Sequence, residues 1–235
     1  QELLIKKVSM NLDWDERRNE STHEKGKGEI VMGHILWVEP VFKEMIWGGN
    51  QLKEKYGYVY PSDQTGECWA PSAHPNGDNK IKEGEFKGQT LSKVFDDHRE
   101  LFGNIKDKQF PLLVKIIDAC NDLSVQVHPN DEYAALHENS LGKTECWYII
   151  DAEEGAEIIY GHKAKTKEEL ASLIEAGDWD GLLSKTPVKK GDFFFVPSGT
   201  MHAIGPGILI LETQQSSDTT YRVYDFDRRD DQGNK

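Results

Sequence analysis

Between residues 112 and 215 the chain consists of short apolar runs separated by Gly, Pro, Asn and Asp. Leu112–Ile117, Leu123–His128, Glu145–Ile150, Glu157–Tyr160, Asp192–Val196 and Ile208–Glu212 are bounded by turn residues and predict strands. Strands at this spacing predict an all-β sandwich or barrel. Two segments carry a helical period instead. Leu91, Val94, Phe95, Leu101 and Phe102 recur at helical spacing and stop at Gly103. Thr166-x-x-Glu169 forms a capping box ahead of Leu170, Leu173 and Ile174, and Gly177 closes that run. Both predict amphipathic helices packed on a β core, inserted around residues 90–103 and 166–184. Residues 1–31 keep neither period for long and predict a charged tail. Asp225 to Lys235 is a polar run with no closing element.

Composition narrows the function classes. The 28 Lys and Arg stand against 41 Asp and Glu, and a net charge of −13 would repel nucleic-acid phosphates. No apolar run approaches the roughly 18–20 residues of a membrane span, so no membrane partner is expected. Cys68, Cys120 and Cys146 are odd in number and form no CxxC pair, which fits a reducing, cytoplasmic location rather than a disulfide framework. The chain begins with Gln and shows no signal-peptide pattern. The stretch Lys25-Gly-Lys-Gly-Glu-Ile-Val-Met32 can be encoded by a purine-rich run of the ribosome-binding type. Residues 1–31 are therefore expected to be a non-native extension ahead of a start at Met32, or a disordered tail.

Three segments carry candidate chemistry. In Leu123-Ser-Val-Gln-Val-His128, strand alternation puts Gln126 and His128 on one face, as two ligands or as a solvated polar edge. In Gly142-Lys-Thr-Glu-Cys-Trp147, Lys143 and Glu145 share a face, which suits metal ligation beside a substrate contact and equally suits a surface ion pair. The run Gly191-Asp-Phe-Phe-Phe-Val-Pro-Ser-Gly-Thr-Met-His202 ends an apolar strand at a Pro-Gly corner with a His behind it. Its spacing matches the second half-motif of cupin barrels. The first half-motif is degenerate, with one His, a Gln two residues earlier, and a longer gap to Glu145. His128, Glu145 and His202 thus lie on three different strands, and three protein ligands with an open position is the catalytic form of a metal site.

Val125-Gln-Val-His-Pro-Asn-Asp131, Gly142-Lys-Thr-Glu-Cys-Trp147, Val196-Pro-Ser-Gly-Thr-Met-His202 and Thr220-Tyr-Arg-Val-Tyr-Asp225 together resemble the motifs of the type I mannose-6-phosphate isomerases. Trp47-Gly-Gly49 and Ser72-Ala-His-Pro-Asn-Gly77 resemble N-terminal motifs of the short bacterial form. The resemblance runs in order from about residue 37 to 229. It implies a mainly β, cupin-type jelly roll with inserted helices over residues 32–235, and the family's C-terminal β domain is expected to fall outside this sequence. It implies a zinc-dependent aldose–ketose isomerase acting on a small sugar phosphate through an enediol, with one Zn2+ per chain held by His128, Glu145 and His202. Arg222 matches the family's active-site arginine, and Lys143 a pocket lysine. Gln126 would be a fourth ligand or a substrate contact, and Arg228 a basic group near the phosphate. The proton-transfer base and the oligomeric state stay open. His74 is expected to serve a turn, and His137 and His162 to be solvated. Two other readings compete: a sugar-binding or sensor cupin without catalysis, and an iron oxygenase with a two-His, one-carboxylate site.

Overall fold

The computed structural model describes residues 35–60 and 62–229, so the expectation for residues 1–31 falls outside the described residues. Eleven strands are named among them. In chain order they are β1 (Val41–Gly49), β2 (Thr65–Ser72), β3 (Leu112–Ala119), β4 (Val125–Val127), β5 (Glu145–Ala152), β6 (Glu157–His162), β7 (Leu183–Pro187), β8 (Phe193–Val196), β9 (His202–Ile204), β10 (Ile208–Gln215) and β11 (Tyr221–Tyr224). They form a six-stranded sheet in the order β1-β2-β3-β10-β5-β8 and a five-stranded sheet in the order β11-β4-β9-β6-β7.

One apolar core joins the two sheets. Ile117 of β3, Trp147 and Ile149 of β5 and Ile210 of β10 pack with Ile158 of β6 and Ile204 of β9. Two antiparallel sheets closed over a shared core are the cupin-type arrangement that the sequence predicts.

All six predicted strands are present, and β3, β5 and β10 run on to Ala119, Ala152 and Gln215. Pattern alone did not single out β1, β2, β7, β9 and β11. Gly66 and Pro71 inside β2 read as turn punctuation, and β9 is too short to show alternation, while β4 keeps only Val125–Val127 of the predicted Leu123–His128. The helical expectation around residues 166–184 is met by two helices, Lys167–Ala176 and the four-residue Trp179–Leu182, after which β7 returns the chain to the five-stranded sheet.

The capping box is half as drawn. Thr166 Oγ1 accepts the Glu169 amide at 3.1 Å, but the Glu169 carboxylate takes the amide of Lys165 rather than that of Thr166. Gly177, at φ 67°, provides the left-handed exit. Leu170, Leu173 and Ile174 of this helix cover Val125, Ile159 and Ala203 on the outer face of the five-stranded sheet. The other predicted helix splits into Leu91–Asp97 and a 3-10 turn at Arg99–Phe102, closed by Gly103 at φ 71°. Helices at Gln51–Tyr56 and Asp131–His137 complete the set. Among the described residues no helix is long and apolar enough to cross a membrane.

Register along β10 sets up the site. Ile210 stands opposite Ile117 and Ile149, Glu212 opposite Lys115 and Trp147, and Gln214 opposite Glu145. The interior face therefore changes from apolar to charged within one step of the strand repeat. One end of the sandwich is a dry core, and the other is lined with polar groups.

Candidate active site

The polar end holds a buried cluster drawn from both sheets. His128 follows β4, His202 opens β9, and Glu145 opens β5. All three are at most 2% exposed, and their ligating atoms lie within 4.8 Å of one another. His128 Nε2 is 3.3 Å from Glu145 Oε1, and His202 Nε2 is 3.6 Å from Glu145 Oε2.

Both imidazoles are aimed by backbone carbonyls. His128 Nδ1 lies 2.9 Å from the Thr219 carbonyl and His202 Nδ1 lies 2.8 Å from that of Thr200. Donation there fixes the proton on Nδ1 and leaves the two Nε2 lone pairs facing each other at 3.2 Å. Burial lowers the basicity of both rings, His202 to about 4, so the rings are neutral at pH 7 and able to bind a cation.

Burial alone would raise the Glu145 carboxyl. Lys143 beside it and the two imidazoles outweigh burial and hold it well below the usual carboxylate range. Lys143 Nζ lies 2.7 Å from Glu145 Oε1, yet neither Glu145 oxygen accepts a well-directed hydrogen bond. Two neutral imidazoles and an ionised carboxylate with unsatisfied oxygens match the donor set of a divalent zinc site. Lys143 and Glu145 are buried partners, not a surface ion pair.

A cavity of about 480 Å³ opens beside this cluster. Gln126, paired across the strands with His202, and Lys143 form its wall next to the candidate ligands, and Arg222 on β11 lines it as well. Arg228 is not among the lining residues. Its guanidinium is engaged by the Asp225 carboxylate and the Asp122 carbonyl. His74 sits in its turn, with Nδ1 accepting the Asn76 amide and Nε2 3.5 Å from Asp218. His137 and His162 are exposed.

The cavity floor is a charged row that motif reading missed. Lys115 lies 3.5 Å from Glu67 and 3.7 Å from Glu212, and all three are at most 7% exposed. Two indoles secure the carboxylates, Trp69 Nε1 donating to Glu67 and Trp147 Nε1 to Glu212. Burial would strip the Lys115 proton, but the paired carboxylates win and raise its pKa. Glu212 moves the other way. Burial and the charge of Glu145 push its carboxyl up to about 7, and its Oε1 has no hydrogen-bond partner. Charges within the apolar strands LLVKIIDA and ILILETQQ were the available signal, because a charge in a buried strand requires a partner.

Comparison with known proteins agrees with this geometry. The family model of the type I phosphomannose isomerase catalytic domain matches residues 35–170. The mannose-6-phosphate isomerase of Streptococcus mutans is 65% identical over 204 residues, covering 87% of this chain and 65% of that protein. Mannose-6-phosphate isomerase ManA of Bacillus subtilis is 63% identical over 199 residues, covering 84% of this chain and 63% of that protein. A crystal structure of the Bacillus subtilis mannose 6-phosphate isomerase superposes with a TM-score of 0.82 at 55% identity, over 85% of this chain and 64% of that one. The chain thus spans slightly less than two thirds of the length of these relatives.

Proposed function

The chain belongs to the type I phosphomannose isomerase family, and on that premise we propose that it interconverts mannose 6-phosphate and fructose 6-phosphate as a zinc-dependent cytoplasmic isomerase. The observation that carries this reading is the buried convergence of His128, Glu145 and His202 beside a cavity whose lining includes Gln126, Lys143 and Arg222. Those three side chains would hold one zinc ion per chain, with Gln126 beside them as a fourth ligand or as a contact to the sugar. When bound, zinc supplies Lewis-acid polarisation of a sugar oxygen.

The remaining work falls to this chain's own groups. Moving a proton between C2 and C1 passes through an enediol whose oxygens gain negative charge, and Lys143 supplies positive charge for it, while Arg222 grips the anionic end of the sugar phosphate. Glu212 is the proton carrier best suited to the task. It lines the cavity, its Oε1 faces Lys115 at 3.7 Å without accepting a hydrogen bond, and its proton affinity sits near neutrality, so it can take a proton from one carbon and return it to the other. Lys115 and Trp147 hold it in place.

The direct test is a coupled assay for fructose 6-phosphate formed from mannose 6-phosphate, before and after chelation. Turnover lost with the chelator and restored by zinc is expected. Binding of metal and sugar without turnover would favour a sensor protein, and iron with oxygen consumption an oxygenase. Arg222→Ala should lose turnover with its zinc content unchanged, and a near-parental rate would remove the assigned role. For Glu212→Gln the expected loss is about 10²–10⁴-fold in kcat. The parent's rate should rise with pH as Glu212 ionises. A variant keeping the parent's rate and pH profile would exclude Glu212 as the base.

A further inference from the structure

The cavity presents four cations, and they differ in how they are neutralised. Lys115 is paired with Glu67 and Glu212, and Lys143 with Glu145. Lys43 and Arg222 also line the cavity, and among the described residues neither has a carboxylate within ion-pair distance. The Lys43 ammonium donates to the backbone carbonyl of Asn76 and stands 4.9 Å from the centre of the Trp69 ring, two contacts that fix its position and leave its charge uncompensated. Asp218 shares the wall, but its carboxylate is engaged by the Asn76 side-chain amide and faces His74. Lys43 comes from β1 of the six-stranded sheet and Arg222 from β11 of the five-stranded sheet, so the two unpaired charges approach the cavity from different sheets.

A phosphate monoester carries about −1.5 to −2 charge at pH 7 and is matched by two unpaired cations. Arg228, the basic group expected near the phosphate, is held by Asp225 and does not line the cavity. We propose that Lys43, together with Arg222, forms the phosphate-binding end of the cavity and selects the phosphorylated sugar over the free one. This rests on the sugar-phosphate reading of the site, and the two can fail separately.

The test uses the full chain loaded with zinc and inorganic phosphate as the probe, titrated calorimetrically at low and raised salt. Lys43→Ala and Lys43→Gln should each weaken phosphate binding by about tenfold or more and flatten its salt dependence. Lys43→Arg should keep the affinity within about threefold, because the charge survives. Affinity for unphosphorylated mannose should be the same in parent and variants. If both neutral variants bind phosphate as the parent does, or if the parent binds none, the assignment is overturned. Turnover of mannose 6-phosphate is read in parallel: phosphate binding that depends on Lys43 without turnover would overturn the isomerase reading and leave the anion site standing.

Discussion

Replacing Lys115 with methionine is expected to destabilise the fold by about 3–5 kcal/mol, the cost of leaving a buried charge without its partner. Methionine fills much of the lysine stem's volume, so the loss reports charge rather than a void. Glu67 and Glu212 would keep their indole donors but face no cation across the sheet. For a domain of this size the melting temperature should fall by roughly 10 °C.

The loss should also depend on pH, with a definite sign. Glu212 binds its proton more tightly in the folded chain, at about 7 against an ordinary value of 4.5. The stability linked to that proton is complete below the unfolded value and is lost as pH rises through the folded one. Removing Lys115 takes away a charge that eases ionisation of Glu212, so Lys115→Met should be milder at pH 5 than at pH 8. Adding Glu212→Gln to Lys115→Met should recover part of the loss. Urea midpoints of parent, single and double variants at both pH values measure all of this. Equal midpoints for parent and Lys115→Met would show that the row contributes nothing to stability.

His202→Ala should cost more than about a hundredfold in zinc affinity, since even outer-sphere partners of a metal ligand are worth 10–100-fold. The imidazole is held rigidly by the Thr200 carbonyl and the ring edge of Trp147, so no neighbouring group is placed to replace it. Competition with a chromophoric chelator, alongside metal content after dialysis, reads the effect. Zinc retained at parental affinity would remove His202 from the ligand set. Comparison with Arg222→Ala is informative because that change should leave zinc in place and affect turnover alone.

Much of this site was legible in the sequence because its residues cluster around turn punctuation. Gln126 and His128 precede a Pro-Asn turn, Lys143 and Glu145 follow Gly142, and His202 follows the Pro197-Ser-Gly199 corner. Gly142 itself explains part of that local pattern, since a Cβ there would fall 2.5 Å from the Asp131 amide nitrogen. Lys115, Glu67 and Glu212 were not legible for the opposite reason. The partners of each lie on neighbouring strands far away in the chain, so no local spacing links them. Lys43 was hidden in the same way within β1, whose Lys-Glu pair reads as an exposed edge. Arg228 shows the converse limit: it lies three residues beyond the Thr220–Asp225 motif, and the last residue of that motif, Asp225, is the carboxylate that engages its guanidinium.

The row across β3, β10 and β5 also bears on how the sheet finds its alignment. A slip of β10 by one residue would send Glu212 to the outer surface and set Leu211 or Thr213 against Lys115, taking one of the two carboxylates from a buried ammonium. Hydrophobic side chains alone would discriminate weakly here, because Leu209 and Leu211 on the other face of β10 are as apolar as Ile208 and Ile210. The charged residues break that degeneracy. Side chains that line the cavity therefore also reject misregistered strand pairings during folding, so a substitution chosen to probe chemistry at Lys115 or Glu212 will also relax the choice of register.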